Sequence, residues 1–396
     1  MVLGRDTSSD GRGPLACVIG GIDVVRPLGF AGIRCAVVAE EGDLGRYSRF
    51  TRTVVELASP STRPDVLLEA LFDFADSLRE RPVLYCGGDW DVALVSRNRE
   101  RLSDIFRFLL PDETLVEDLL DKARFQQLAE RLDLPVPAGR RLSPTDGAEP
   151  DPDLRFPLIL KPLTRPTSSW ADGAKALLAE TPEQLRAHWQ RLRETGIELL
   201  AQEVVPGPES LVESYHAYID ETGETVGEFT GRKIRTDPAA YGYSTAVEIT
   251  DEADVTRLGR EVLERVGLRG VAKVDFKRGP GGRLHLLEIN ARFSLWHHPG
   301  AKAGVNLPAL VYRDLTGQPR EPVRRARAGV RWCAPRTDDR AARAEGISMV
   351  RWLIWAMSCE ARSGVALDDP MPLLRILSAK VSREATSRLA SRRRAA

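Results

Sequence analysis

Short apolar runs and helical patterns alternate along the first 90 residues of the chain. Each apolar run is four to six residues long, as expected of a strand buried within a sheet. A helix pattern follows the first run and reaches Phe30, and an amphipathic one separates the third run from the fourth. This order predicts βαβ units and a parallel sheet. The strands are expected at 16–19, 34–39, 53–57 and 82–85, and the second helix at 64–79.

The middle of the chain mixes strands with longer helix patterns. A helix is expected at 121–132, where Pro135 and Pro137 stop it. Thr181 is placed to cap a helix at 183–195, and another helix is expected at 254–266. Strands are expected at 156–162, 198–205, 213–219 and 226–232, with loops at 143–153 and 236–245. Just past the last of these strands, alternation places Lys233 and Arg235 on one face.

The stretch Gly270–Phe293 predicts a β-hairpin around the turn residues 279–282. Strict alternation places Val271, Lys273, Asp275 and Lys277 on one face of its first strand. In the return strand, 283–290, Glu288 and Asn290 share a face, and the opposite face takes His285, Leu287 and Ile289. With simple pairing, Asp275 and Glu288 are diagonal neighbours, roughly 7–8 Å apart.

The polar face of this hairpin indicates a cation site. Two carboxylates and an amide oxygen, interleaved with lysines, suit a hard divalent cation that bridges phosphates. The other interpretation is an amphipathic hairpin whose polar face meets water. The hairpin by itself leaves both open.

Composition indicates an ordinary globular chain of two or three domains. The 396 residues are 42% hydrophobic and 29% charged, and 57 basic residues balance 57 acidic ones. We therefore expect neither a nucleic-acid nor a membrane partner. Five scattered cysteines without a Cys-x-x-Cys pair favour a reducing, cytoplasmic setting. The apolar run 347–359 is too short and contains a charge, Arg351, so a membrane span is not expected.

A dinucleotide site at the first βα turn is an alternative that the glycine spacing disfavours. Gly20, Gly21 and Gly29 do not have the spacing G-x-G-x-x-G, which lets backbone approach a pyrophosphate, although Glu40 could serve as a ribose acid. Asp89 and Asp91 follow a glycine pair at a strand end, where open sheets place ligand contacts. Capping of the next helix is the other interpretation of these two acids.

The segments VDFK and LLEINAR resemble the metal-binding hairpin of the ATP-grasp superfamily. DKARFQQLAERLDLPVP and FPLILKP resemble its lysine-bearing segments, and ELLAQEVVPGPE resembles its hinge. The stretches GGIDVVRPLGFAGI and CGGDWDVALVSRNRE are similar to the preATP-grasp domain of D-aspartate-ligase-like carboxylate–amine ligases.

The resemblance implies an α/β fold with an α+β catalytic module. In this resemblance, which covers roughly 16–320, a Rossmann-like preATP-grasp domain precedes a two-lobed ATP-grasp domain. Beyond it, Trp332, Trp352 and Trp355 indicate a small packed C-terminal appendage. The expected divisions are a disordered leader at 1–13, the preATP-grasp domain at 14–110, the ATP-grasp domain at 111–320 and the appendage with its basic tail at 321–396. The nucleotide lobe is expected at about 156–205 and the metal lobe at about 206–320.

The resemblance also implies the site residues. Magnesium, as two ions with Mn²⁺ as a substitute, is expected on Asp275, Glu288 and Asn290. Lys273, Lys233 and Arg292 are expected to act in catalysis, Lys273 on the acyl intermediate and Arg292 on phosphate or substrate carboxylate. His297 and His298 are assigned a structural or substrate-lining role. The ATP contacts are expected at Lys122, Lys161, Lys175, Gln202, Glu203, Val205, Glu209 and Lys233, with Gln202 or Glu203 at the adenine and Glu209 at the ribose.

These expectations lead to an ATP-dependent ligase that forms an amide through an acyl phosphate. The substrates would be a small carboxylate and an amine, both expected to be amino acids, and a homodimer is left open. A loop at 163–174 that departs from the glycine-rich flap of the superfamily leaves a catalytically silent ATP-binding protein as an alternative. Two further alternatives are a carboxylase that uses bicarbonate and a dehydrogenase built on the first βαβ unit.

Overall fold

The computed structural model describes residues 2–3, 13–57, 64–143, 150, 153–163 and 176–378. They form three sheets, of five, four and seven strands. The flap expected at 163–174 lies outside the described residues except for its first residue. Lys175, most of the expected loop 143–153 and the basic tail also lie outside them.

The five-stranded sheet is parallel except for its first strand. Its order is β1-β4-β3-β2-β5, and β1 runs antiparallel to β4. The strands β2, β3 and β5 are buried along their whole length, which explains why they appear in the sequence as unbroken apolar runs. The predicted parallel sheet is confirmed. The strands are β1 (Val2–Leu3), β2 (Ala16–Ile19), β3 (Cys35–Ala39), β4 (Thr51–Glu56) and β5 (Val83–Cys86).

Helices cover both faces of the five-stranded sheet. Side chains of α2, α3 and α4 pack on one face, and α1 packs with α9 and α10 on the other. The helices are α1 (Ile22–Phe30), α2 (Pro64–Asp76), α3 (Asp89–Arg97), α4 (Arg99–Ser103), α5 (Glu113–Leu120), α6 (Lys122–Arg131), α7 (Pro182–Leu192), α8 (Ala253–Arg265), α9 (His297–Lys302), α10 (Leu307–Thr316), α11 (Pro335–Ala344) and α12 (Met349–Ser358), with a further helical stretch at 371–378.

The four-stranded sheet is antiparallel, with the order β6-β9-β7-β8. Leu158, Leu160 and Ala201 pack with Trp189 of α7 in a core of their own. Thr181 caps α7 as predicted, since its side chain accepts a hydrogen bond from the Gln184 N–H. The strands are β6 (Gly139–Leu142), β7 (Leu158–Pro162), β8 (Leu177–Ala179) and β9 (Leu199–Glu203).

The seven-stranded sheet has the order β14-β13-β10-β11-β12-β15-β16. One face packs on α9 and α10 towards the first sheet, and the other packs on α5, α6 and α8. The strands are β10 (Val212–Ile219), β11 (Thr225–Asp237), β12 (Tyr243–Thr250), β13 (Gly270–Arg278), β14 (Leu284–Asn290), β15 (Arg331–Cys333) and β16 (Ala361–Arg362).

Two sequence predictions about this sheet are wrong. Residues 236–245 are not one loop, because β11 continues to Asp237 and β12 begins at Tyr243. Lys233 and Arg235 do not share a face. The pairing of β11 with β12 slips by one residue at Ile234, and such a bulge changes the direction in which the following side chain points. Lys233 faces the cleft described below, whereas Arg235 is buried elsewhere.

The C-terminal residues are tied to both large sheets through buried carboxylates. Asp338 of α11 accepts hydrogen bonds from Arg235 at 2.8 and 2.7 Å, from Thr245 and from Trp352. Asp369 accepts from Arg26 and Ser48 of the first sheet's layer. Strands β15 and β16 also extend the seven-stranded sheet. The predicted domain boundaries stay predictions.

We predict that Asp338→Ala destabilises the protein by about 3–5 kcal/mol, because it leaves the buried guanidinium of Arg235 without a counter-charge. The measurement is the midpoint of chemical denaturation followed by tryptophan fluorescence, since Trp352 and Trp355 contact this network.

Arg340→Ala is the matched control on the same helix. Arg340 pairs with Asp237 but is largely exposed, so its loss should cost less than about 1 kcal/mol. Equal midpoint shifts for the two variants would contradict the role given to Asp338.

Candidate active site

A cleft of about 280 Å³ lies where the three sheets approach one another. The four-stranded sheet contributes apolar and polar side chains, and the hairpin β13–β14 contributes the acids. Helices α3 and α5 close one end. The lining residues include Asp89, Val92, Val116, Leu119, Leu120, Lys122, Ile159, Lys161, Gln202, Glu203, Val205, Glu209, Lys233, Tyr241, Asp275, Lys277, Leu287, Glu288, Asn290 and Arg292.

Asp275 and Glu288 are direct cross-strand partners, not the diagonal neighbours that simple pairing predicts. The register pairs Asp275 with Glu288 but Phe276 with Leu286, so Leu287 is an extra residue in β14. The sequence predicted that Leu287 lies on the face opposite Glu288. Because of the bulge, Leu287 lines the cleft instead. The bulge therefore brings the two carboxylates closer than expected, because directly opposite side chains are about 5 Å apart at Cβ.

Hydrogen bonds orient each member of the acidic set. Asp275 accepts from Ser214 and from Lys273, which is its ion-pair partner. The Asn290 amide donates to Glu288 Oε1 at 3.1 Å. Arg292 in turn donates to Asn290 Oδ1, also at 3.1 Å.

Burial by itself raises the pKa of Glu288, but Lys273, the Asn290 amide and Lys233 outweigh it and hold this pKa below its usual range. Glu288 is therefore ionised at neutral pH.

This donor set fits magnesium. The described residues contain no group of three or more His, Cys, Asp or Glu side chains that would hold a metal alone. Magnesium, however, is commonly bound by one or two carboxylates together with waters and substrate phosphates. Asp275, Glu288 and the Asn290 oxygen offer that arrangement on one sheet face.

Four lysines from different elements line the cleft: Lys122, Lys161, Lys233 and Lys277. Lys161 donates to Gln202 Oε1 at 2.9 Å. Burial, reinforced by Lys122 and Lys233, lowers the pKa of Lys161 to about 8 against the opposing effect of Glu288 and Glu209. So many cations around two glutamates suit a polyanionic ligand.

The residues predicted to hold the nucleoside have protein partners. Glu203 pairs with Arg155 at 2.8 Å, and the Gln202 amide nitrogen donates to Gln126 at 3.0 Å. Glu209 lies 3.9 Å from Lys233 and 3.7 Å from Lys277. Val205 lines the cleft. The adenine and ribose contacts assigned to these residues stay predictions.

Lys277 is a cleft residue to which the sequence analysis gave no role. It is 6% exposed and lies on the same face of β13 as Asp275, two residues away. In the sequence, alternation places it on the same face as Asp275, which is the signal for a role in the cleft.

The two acids at the end of β5 have different roles. Asp91 caps α3, since its carboxylate accepts from the Gly88 N–H at 2.7 Å. Burial raises the pKa of Asp91 to about 6. Asp89 instead forms an ion pair with Arg292 and lines the cleft. The two histidines are buried and do not line the cleft. His298 bonds to Asp23 at 2.8 Å, and His297 contacts the Ser294 backbone.

Comparison with known proteins gives matches that agree with this site. The family model described as "ATP-grasp in the biosynthetic pathway with Ter operon" matches residues 198–335. D-aspartate ligase from Enterococcus faecium (strain Aus0004) is 26% identical over 286 residues, which cover 68% of this chain and 67% of that protein. D-alanine–D-alanine ligase from Halorhodospira halophila is 28% identical over 213 residues, 50% of this chain and 66% of that protein. The chain thus spans about two thirds of these relatives.

Solved structures share the fold. The ADP complex of N5-carboxyaminoimidazole ribonucleotide synthetase superposes with a TM-score of 0.61 at 15% identity, covering 81% of this chain and 80% of that one. L-amino acid ligase from Bacillus licheniformis gives 0.58 at 13% identity, covering 77% and 74%.

None of the described helices has the length and apolarity needed to span a bilayer. Together, the hairpin, the lysine-lined cleft and these matches show that the chain contains an ATP-grasp domain and is a homologue of the D-aspartate and D-alanine–D-alanine ligases.

Proposed function

We propose that the protein is an ATP- and magnesium-dependent carboxylate–amine ligase that joins small molecules, amino acids among them, through an amide bond. The observation that carries this proposal is that four lysines line the same cleft as Asp275, Glu288 and Asn290. The homologous ligases support the reaction type. The proposed setting is the cytoplasm, where the five free cysteines stay reduced.

The reaction would have two steps. A substrate carboxylate oxygen attacks the γ-phosphorus of ATP, the bond between the β- and γ-phosphates breaks, and ADP leaves with the electron pair. The amine nitrogen of the second substrate then attacks the acyl carbon, loses a proton and expels inorganic phosphate.

The protein would act mainly through charge and position. Lys122, Lys161 and Lys233 would hold the phosphates. Asp275, Glu288 and Asn290 would hold magnesium, which neutralises the triphosphate when bound. Arg292, fixed beside Asn290, would orient the attacking carboxylate, since a planar guanidinium binds it in a bidentate manner. Lys273, paired with Asp275, would stabilise the acyl intermediate.

Carboxylation by bicarbonate is the alternative within the same fold. Structures of that class, such as biotin carboxylase from Campylobacter jejuni, share the architecture at 14% identity, which is evidence for the fold alone. ADP release that depends on bicarbonate and needs no amine would identify that reaction. The complete acidic set argues against an ATP-binding protein that is catalytically silent.

We predict that Glu288→Gln reduces ADP formation by at least about 100-fold, because the amide cannot replace the anionic metal ligand. The measurement is ADP release with magnesium across pairs of carboxylates and amines, chiefly amino acids, and circular dichroism checks the fold. Glu248→Gln, on the same sheet and paired with Arg232 outside the cleft, should keep wild-type rates. Near wild-type turnover of Glu288→Gln would contradict the metal assignment.

The lowered pKa of Lys161 predicts how ATP binding depends on pH. Below pH 8, Lys161 of the free protein already carries its positive charge. Above pH 8, Lys161 must take up a proton when the phosphates bind. ATP affinity should therefore fall above pH 8, by at most about tenfold per pH unit.

Calorimetry at pH 8.5 in buffers of different ionisation enthalpy measures this proton uptake directly. Lys161→Arg should reduce it, because arginine stays charged. Lys302→Arg, a lysine that sits over the Phe30 ring outside the cleft, should keep it. Equal proton uptake in the wild type and in Lys161→Arg would contradict the assignment of Lys161 to the phosphates.

A further inference from the structure

One end of the cleft is built differently from the phosphate end. Helix α3 contributes Val92, and helix α5 contributes Val116, Leu119 and Leu120. Val92 and Val116 are 3% and 1% exposed, while the two leucines are half-buried. These four side chains form what we call the apolar recess.

An ion pair joins the apolar recess to the acidic set. Asp89 lies one helical turn before Val92 on α3, so the two side chains share a face. Its carboxylate accepts from Arg292 Nε, while the Nη2 of the same guanidinium bonds to Asn290 Oδ1 at 3.1 Å. Arg292 therefore donates both to a metal ligand, Asn290, and to Asp89. Asp91 has a different task, since it caps the helix.

We propose that this end of the cleft binds the carboxylate substrate, and that this substrate is an amino acid with an apolar side chain. The inference rests on the ligase function proposed above. Arg292 receives the carboxylate beside Asn290, Asp89 receives the ammonium group, and the side chain enters the apolar recess.

The pairing of opposite charges explains why an amino acid fits. A zwitterion carries an ammonium and a carboxylate a few ångströms apart, and it can exchange partners with the Asp89–Arg292 pair without leaving any charge unpaired. A carboxylic acid that lacks the ammonium would occupy Arg292 and weaken the ion pair between Arg292 and the partly buried Asp89 carboxylate without offering Asp89 a cation in exchange, which is costly.

The recess also determines which side chains are accepted. An acidic or basic side chain placed against Val92, Val116, Leu119 and Leu120 would lose its hydration without gaining a partner from α3 or α5. An apolar side chain would instead gain free energy from each part of its surface that the recess removes from water. The preference should thus be for residues such as leucine, valine or methionine over aspartate.

Trapping with hydroxylamine tests this substrate without knowledge of the natural amine. The amino-acid carboxylate takes the γ-phosphoryl group and releases ADP, and the hydroxylamine nitrogen then displaces phosphate from the acyl carbon to give a hydroxamate. With ATP and magnesium we expect leucine to give a kcat/KM at least about 10-fold above that of aspartate and about 100-fold above that of 4-methylpentanoate, which lacks the ammonium. Both enantiomers of each amino acid are assayed.

Variants of Asp89 test the assignment of the ammonium site. Asp89→Asn should raise the KM for leucine and leave the KM for ATP within about twofold. It should also bring the ratio of kcat/KM for leucine over 4-methylpentanoate close to 1, because neither ligand then finds a carboxylate at position 89. Asp89→Glu should restore part of that ratio. Asp91→Asn is the matched control and should keep it, because asparagine also caps helices.

A variant of the recess tests the side-chain preference. Leu119→Arg should shift the ratio of kcat/KM for aspartate over leucine upward by at least about tenfold, because it places a cation in the recess. An unchanged ratio in a variant that binds ATP normally would overturn the placement of the side chain.

The outcomes separate this inference from the proposed function. If simple carboxylates give hydroxamate and amino acids do not, the ligase function stands and the amino-acid site is wrong. If aspartate is preferred, or Asp89→Asn keeps the wild-type ratio, the assignment of the recess or of Asp89 is overturned. If no carboxylate gives hydroxamate or releases ADP, the ligase function itself fails.

Discussion

The cleft depends on the balance between buried cations and carboxylates. Lys122, Lys161, Lys233 and Lys277 converge from four segments that are far apart in the chain, and repulsion among them would oppose folding. Glu209 lies between two of them, and Glu288 lowers the cost for Lys161. Burial, together with Lys122 and Lys233, still lowers the pKa of Lys161, so Glu288 and Glu209 offset only part of the cost. A polyanion would offset the rest, so the same charge balance that limits stability creates affinity for phosphates.

The geometry of this cleft is maintained by contacts far from it. Asp89 begins helix α3, which packs on the five-stranded sheet, and Arg292 follows the last strand of the hairpin. Their pairing therefore requires a fixed relation between the two large sheets. Buried carboxylates provide that relation. Asp23 of α1 accepts from His298, Trp332 and Ser363, and Asp369 accepts from Arg26 and Ser48. The C-terminal residues thus connect the two layers that face the cleft.

The sequence identified most of the fold because local signals determine it. Buried parallel strands appear as apolar runs, and alternation correctly assigned the faces of β13, whose Ala272, Val274 and Phe276 are in the core. Lysine placement was equally informative, since arginine fills most other basic positions. Among the six lysines in the described part of the chain, four line the cleft and a fifth, Lys273, holds Asp275.

Alternation failed where a strand contains an extra residue. The bulges at Ile234 and Leu287 depend on pairing with a neighbouring strand, and one additional residue reverses the faces that follow. Contacts between distant residues were also out of reach. Asp89 and Arg292 are 203 positions apart, and the sequence alone could not decide whether Asp89 or Asp91 caps the helix.

The pairing of charged groups within the site has a consequence for how it would work. Glu209, Asp275 and Arg292 each have a partner of opposite charge on the protein, and the Glu288 carboxylate is held by the Asn290 amide near Lys273. A ligand therefore replaces existing partners, and its binding free energy is the difference between two sets of ion pairs. Such a difference is small for a ligand that satisfies only some of the groups and large for one that satisfies all of them. Selectivity in this cleft thus follows from completeness of charge pairing more than from the strength of any one contact.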